Sequence, residues 1–182
     1  MKNDYYISLR KHYEKYLGKC EAEIKYMKGK YQNLPEKFHL EIYSKDENTK
    51  IMITSGLGLK EETENIEFFI YYSTKKYSEL QIAEIMYIVS YYHYCEEKLF
   101  VNHIVNLGKP IVDNSKLSRG YLSWPYIEKK EFHLFSNIKI MWFLPISESE
   151  YFFIKRNGIN ELEELFEETS FNYIDLTREP VV

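Results

Sequence analysis

Cysteine is scarce, and the two present, Cys20 and Cys95, stand far apart outside any CxxC spacing. That excludes a disulfide framework and leaves two reduced, mostly buried thiols as the expectation. The five histidines (His12, His39, His93, His103 and His133) form no HxH or HxxxH pair, so no zinc or other metal site is expected. With 7 glycines and 5 prolines in 182 residues, the chain lacks the composition of a linker or a low-complexity tail. No apolar run approaches the length of a membrane span, and charges at Lys2, Asp4, Arg10 and Lys11 interrupt any leader-like segment. A cytoplasmic protein without a membrane partner is the default reading.

Aromatic residues are abundant instead, with 18 Tyr and 11 Phe, a usage that suits interfaces as well as semi-polar cores. The net charge of −4 is unevenly spread. Residues 1–37 carry nine basic side chains against five acidic, and residues 148–179 carry nine acidic against three basic. This balance argues against nucleic-acid binding and permits a basic protein partner.

Residues 4–19 place Tyr6, Leu9, Tyr13, Tyr16 and Leu17 at helical spacing, which predicts an amphipathic helix. The segment 1–24 is read as part of the same domain as 25–182. Residues 38–44 alternate Phe38, Leu40 and Ile42 with His39, Glu41 and Tyr43, a half-buried strand, and 49–55 return as its hairpin partner. Gly56 and Gly58 then break the pattern, but without the longer spacing and Lys-Ser/Thr ending of a phosphate loop. A third strand is predicted at 65–72. A core helix over 78–95 opens on a Ser78–Gln81 capping box and carries His93 as a tucked core residue. Residues 99–105 read as a short strand, the stretch to Ser118 as loop, and 121–127 as an extended piece.

The most strand-like segment is 138–144, with Ile138, Ile140, Trp142 and Leu144 on one face and Lys139, Met141 and Phe143 on the other. Both faces are largely apolar, the mark of a strand covered on both sides. Pro145 is expected to stop it. Ser147 and Glu150 then form a capping box for a helix that Gly158 ends. A further helix over 160–169, capped by Asn160, turns Leu162, Leu165 and Phe166 inward and Glu163, Glu164, Glu167 and Glu168 outward. The closing residues 171–182 read as a final strand or an extended segment. The order of elements predicts a single α+β domain: a mixed, mostly antiparallel sheet with helices packed on it.

Catalytic signals are few. There is no GxSxG elbow and no recognisable setting for a nucleophilic cysteine. Carboxylate pairs occur at Glu61–Glu62, Glu96–Glu97 and Glu148/Glu150, and a larger cluster at 161–168, but charge runs of this kind form solvated faces more often than acid–base pairs. No cofactor is expected.

Several ordered segments together resemble the suppressor of fused (SUFU) domain family. They are Thr54-Ser55-Gly56-Leu57, the strand from Ile66 to Ile70, the helix from Ile85 to Tyr92, and Asn102-His103-Ile104-Val105 with Gly108-Lys109-Pro110. Gly120-Tyr121-Leu122-Ser123-Trp124-Pro125, Phe143-Leu144-Pro145-Ile146 with Glu148 and Glu150, and Ile174-Asp175-Leu176-Thr177-Arg178 follow. Departures fall at 73–77 and at Asn102, where the family carries a tryptophan and a glycine. The resemblance singles out Thr54, Gly56, His103, Gly120, Pro125, Pro145, Glu150, Asp175 and Arg178 as motif positions. It implies a non-enzymatic, protein-binding domain. Animal members sequester a transcription factor, and stand-alone bacterial members look like immunity proteins or antitoxins that neutralise a toxin. A toxin with a basic, nuclease-type cleft would meet Glu163, Glu164, Glu167 and Glu168, with Tyr121 and Trp124 as anchors. Two other readings stay open: a small hydrolase using Glu148, Glu150 or His103, and a cytosolic scaffold that sequesters a signalling protein.

Overall fold

The computed structural model describes residues 2–26, 28–59 and 65–182. Helix α1 (Lys2–Leu17) leads through β1 (Ala22–Ile24) into the hairpin β2 (His39–Ser44) and β3 (Thr49–Ser55). Then come β4 (Asn65–Ser73), α2 (Glu79–Tyr91), β5 (Ile104–Asn106) and β6 (Leu117–Ser123). The chain ends with β7 (Leu134–Phe135), β8 (Ile138–Ser147), α3 (Glu148–Asn157), α4 (Ile159–Thr169) and an irregular tail. The strands form one eight-stranded sheet in the order β1-β2-β3-β4-β8-β6-β5, with β7 added to β8. Among the described residues only the β4–β8 pair is parallel. The chain is an α+β domain with a mixed, mostly antiparallel sheet, as its pattern predicts.

Strand β8 separates two cores. Met141 and Phe143 face α2, together with Phe38, Leu40, Met52 and Phe68. Ile140, Trp142, Leu144 and Ile146 face α1 and α4, which contribute Leu9, Tyr13, Leu162 and Phe166. This is the split that the alternation of residues 138–144 predicts. The capping boxes at Ser78–Gln81 and Ser147–Glu150 are both formed. His93 is tucked inside, where its Nδ1 accepts the Leu99 N–H at 3.0 Å.

Several expectations need correction. β2 is covered on both faces: Glu41 and Tyr43 are both 0% exposed, because α1 lies over the side read as solvated. β8 does not stop at Pro145 but runs on to Ser147. The ladder explains this. Leu122 of β6 donates outward to His103 O, so by antiparallel alternation Gly120 also faces outward, and Pro145 opposite it has no donation to make. The parallel pairing with β4 has already ended at Trp142. The strand expected over 99–105 is confined to β5, because Asn102 adopts a left-handed φ of 69°. Residues up to Ser118 read as loop give β6 its first two positions. Residues 171–182 form no strand. Gly158, not Asn160, precedes α4, and its φ of 98° turns the chain between α3 and α4. Neither cysteine is fully buried, and Cys95 is exposed.

Gly120 is required by space. A Cβ built there would lie 1.9 Å from Cε2 of Phe143, inside the core on the α2 side. Gly120→Ala is expected to lower stability by about 1–3 kcal/mol through overpacking. Adding Phe143→Leu should recover part of the loss, as measured by urea denaturation of both variants.

Candidate functional site

Among the described residues Glu41, Glu67 and Glu150 are fully buried, and each holds at least one donor from a distant part of the chain. Glu67 on β4 is fully buried and accepts from the Gly56 N–H at 2.8 Å, the Gly58 N–H at 2.9 Å, Thr54 Oγ1 at 2.6 Å and the Tyr5 hydroxyl at 2.8 Å. Burial still pushes its pKa up against those donors. Gly56 has a φ of 119°, and an added Cβ would sit 2.9 Å from the Tyr6 hydroxyl, so the loop and α1 approach only because no side chain intervenes. The motif positions Thr54 and Gly56 therefore serve Glu67, a residue that sequence reading passes over as one member of an apolar strand. The Glu61–Glu62 pair lies outside the described residues.

Glu150 performs a second closure. The N-terminus of α3 places its Oε2 2.7 Å from the Ser147 N–H, and the Arg178 guanidinium grips both carboxylate oxygens at 2.6 and 3.1 Å. Arg178 Nη2 also donates to Pro145 O at 3.1 Å, using the carbonyl that β6 leaves free. The Val181 N–H completes the shell at 3.1 Å. Asp175, three residues before Arg178, accepts Lys76 Nζ at 2.6 Å, the Tyr77 hydroxyl at 2.9 Å and both Thr177 donors. Burial alone would raise the Asp175 carboxyl, but these donors outweigh it and hold the pKa far below the usual range. Pro145, Glu150, Asp175 and Arg178 thus clasp the tail to the sheet. Removing one partner of a buried bidentate pair strands the other charge, so Arg178→Met is expected to cost about 3–5 kcal/mol, readable in urea denaturation.

The acidic helix is not uniform. Glu163 turns toward the sheet, where Oε1 accepts the Tyr121 hydroxyl at 2.8 Å and Ser123 Oγ at 2.9 Å. Tyr121 is 1% exposed, and its hydroxyl also lies 3.1 Å from Asn102 Oδ1. Tyr121 is therefore an interior strut, not a ring presented at the surface. Glu164, Glu167 and Glu168 are exposed. Glu163→Ala removes the carboxylate shared by two hydroxyls and leaves them Asn102 Oδ1 and the Trp124 carbonyl as acceptors, so it should cost about 1 kcal/mol. Glu164→Ala should stay within about 0.5 kcal/mol of the parent, and paired thermal melts compare the two.

Beside this corner stands an exposed aromatic loop. Trp124, Tyr126 and Ile127 are 39%, 38% and 39% exposed. The loop is nonetheless held from beneath. The Trp124 ring stacks on His133 with centroids 6.0 Å apart, and Tyr126 meets Trp142 edge-on at 5.4 Å. Pro125 is buried, and its carbonyl accepts the Glu128 N–H at 2.8 Å. The Glu128 carboxylate is anchored by Tyr71 and Lys45. Burial raises the Tyr126 hydroxyl pKa, and the charges of Glu163 and Glu167 on α4 add to the shift; Glu163, bonded to Ser123, ties that helix to the start of the loop. On the far side of β6, β5 is the sheet edge, and the ladder leaves the main-chain groups of Ile104 and Asn106 facing outward. His103 enters that edge strand, its ring edge-on to Phe100 at 5.1 Å.

The other proposed chemistry is dispersed. Glu148 pairs with Arg119 at 3.1 Å, Glu150 is committed to Arg178, and His103 lies at the β5 edge. Four surface cavities of about 420, 490, 490 and 510 Å³ are lined by other residues. Among the described residues no group of three or more His, Cys, Asp or Glu is placed to hold a metal ion, and no helix is long and apolar enough to cross a membrane.

A family model described as "Suppressor of fused protein (SUFU)" matches residues 37–179. The fold is similar to the crystal structure of a SUFU homolog from Neisseria gonorrhoeae FA 1090, with a TM-score of 0.84 and 23% identity over 99% of this chain and 98% of that one. The Sufu–Fu complex crystal structure contains a chain similar at a TM-score of 0.67 and 10% identity, over 98% of this chain and 91% of that one. Drosophila Suppressor of Fused is similar at a TM-score of 0.68 and 10% identity, this chain spanning 97% of its own length and 50% of that protein. No curated protein matches.

Proposed function

The chain belongs to the suppressor of fused family, and from that premise we propose that it is a protein-binding domain of the immunity type, which neutralises a toxin by occupying its basic cleft. The observation that carries this reading is the pairing of a braced, exposed aromatic loop with an acidic helix. Trp124, Tyr126 and Ile127 stand proud on fixed supports, so little ordering entropy opposes their burial in a partner. Glu164, Glu167 and Glu168 lie on the neighbouring helix, where their charge would speed encounter with a cationic surface, while the aromatic anchors would set the off-rate. The open edge at β5 offers a second contact of the same kind, pairing with an extended segment of the partner. The interior carboxylates support binding over catalysis, because Glu67 and Glu150 are spent on structural donors and are not available as an acid–base pair. A protein of this class would act in the cytoplasm, where it meets the toxin before damage is done.

Co-expression with the product of the neighbouring gene tests the reading. The parent chain should restore growth to cells making that toxin. Trp124→Ala should weaken the complex by at least about tenfold, as an anchor residue does. Glu164→Lys/Glu167→Lys/Glu168→Lys should slow association and flatten its salt dependence. A purified toxin that binds the triple variant with unchanged rate and salt slope would remove the electrostatic part. Turnover of any substrate by the isolated chain that disappears on removing His103 or Glu148 would replace the whole proposal with a hydrolase.

A further inference from the structure

The strand at the other end of the sheet from β5 is β1, which among the described residues pairs only with β2. The Lys45 N–H donates to Thr49 O at the turn of the β2–β3 hairpin, and that bond sets the alternation along β2. Glu41 and Tyr43 direct their main-chain groups to β3, while Leu40 and Ile42 direct theirs to Ile24 and Ala22 of β1. The main-chain N–H and C=O of Glu23 therefore face outward, away from the sheet. Side chains alternate across the same strand. Ala22 and Ile24 pack against the core on the α2 side, and Glu23 lies on the α1 side, where its carboxylate accepts Arg10 Nη2 at 2.6 Å.

On the α2 side this edge opens onto a cavity of about 510 Å³ lined by Ile24, Tyr26, Tyr31, Leu80, Ala83 and Tyr87. Its two charged lining residues, Lys25 and Glu84, are of opposite sign, so the cavity favours an apolar side chain over a charged one. The walls are preformed. The Tyr87 hydroxyl donates to Ile24 O at 3.2 Å and accepts the Tyr26 N–H at 2.6 Å, which pins the end of β1 to α2. The rings of Tyr26, Tyr31 and Tyr87 brace one another, with centroids 5.4 to 6.0 Å apart. Leu80, in the first turn of α2, is nonetheless 76% exposed, and Tyr26 is 47% exposed. An apolar cavity, an exposed leucine and an open strand edge thus share one face of the sheet.

We propose that β1 takes up an extended segment of a partner protein as a further strand, and that a large apolar side chain of that segment fills the tyrosine-lined cavity. The residue bonded to Glu23 points its side chain to the α1 side, so its neighbour in the segment points to the α2 side, beside Ile24 and the cavity. Main-chain bonds hold the segment whatever its sequence, and the cavity selects the side chain. A second copy of this chain fits less well. Antiparallel pairing of two β1 strands about Glu23 sets Ala22, too small to fill the cavity, against Ile24 of the other copy, and brings the two Glu23 carboxylates together. The proposal does not rest on the immunity reading, which uses the Trp124 loop, α4 and the β5 edge.

Selection of a displayed library of random nonapeptides against the full chain tests this, with Glu23→Pro as the counter-target. Proline deletes the outward N–H and leaves the ladder to β2 in place. Selected peptides should carry a leucine, isoleucine, phenylalanine or methionine, and a synthetic copy should bind Glu23→Pro at least about tenfold more weakly than the parent. Glu23→Gln keeps the N–H and should bind as the parent does, which separates the main-chain effect from loss of the Arg10 pair. Leu80→Ser should weaken binding about tenfold without moving the melting temperature, since the side chain is exposed. Trp124→Ala should leave it intact. In the free chain the Glu23 amide should exchange with solvent faster than that of Ile24, and the bound peptide should slow it. The exchange readout and Leu80→Ser decide the matter if Glu23→Pro does not fold. A library that yields no peptide separating the parent from Glu23→Pro, selected peptides without a large apolar residue, or a Glu23 amide that the peptide does not protect would each overturn the proposal. A dimer of the parent chain that Glu23→Pro disperses would assign the edge to a second copy instead.

Discussion

Covering both faces of β8 and its neighbours leaves a polar group that enters the sheet with no water to turn to. A carboxylate in that position is costly unless several donors converge on it. Glu41, Glu67 and Glu150 all meet this condition, and in each case at least one donor comes from far along the chain. Glu67 draws on Tyr5 in α1 and on the Thr54–Gly58 loop, and Glu41 draws on Arg10, His39 and Tyr43. Glu150 draws on Arg178 and Val181 at the end of the chain. Desolvation therefore ties α1, the hairpin and the tail to one sheet.

This arrangement assigns the family's motif residues to architecture. Thr54 and Gly56 complete the shell of Glu67, Gly120 admits the Phe143 ring, and Pro145, Glu150, Asp175 and Arg178 hold the tail. Recognition is left to the surface, where the residues differ in kind. Trp124 and Tyr126 stand exposed, as do Glu164, Glu167 and Glu168 of α4.

The elements that were legible in the sequence are those whose signals are local. The capping boxes at Ser78 and Ser147 depend on residues three apart, and the double-faced pattern of 138–144 depends only on side-chain alternation. The errors occur where a distant segment changes the environment. Glu41 and Tyr43 read as solvated until α1 covers them, and Pro145 reads as a stop until it falls opposite Gly120, where the ladder asks no donation of it. Glu163 reads as one more helix-surface charge until Tyr121 and Ser123 reach it.

The sequence by itself determined the class of fold, the extent of most helices, the central strand and the family resemblance, because propensity, capping and apolar period act over a few residues. Only the tertiary structure decided which glutamate is a strut and which is a surface charge, and which tryptophan is core and which is exposed. Those properties depend on which surfaces lose water, and that is settled only when segments remote in the chain come into contact.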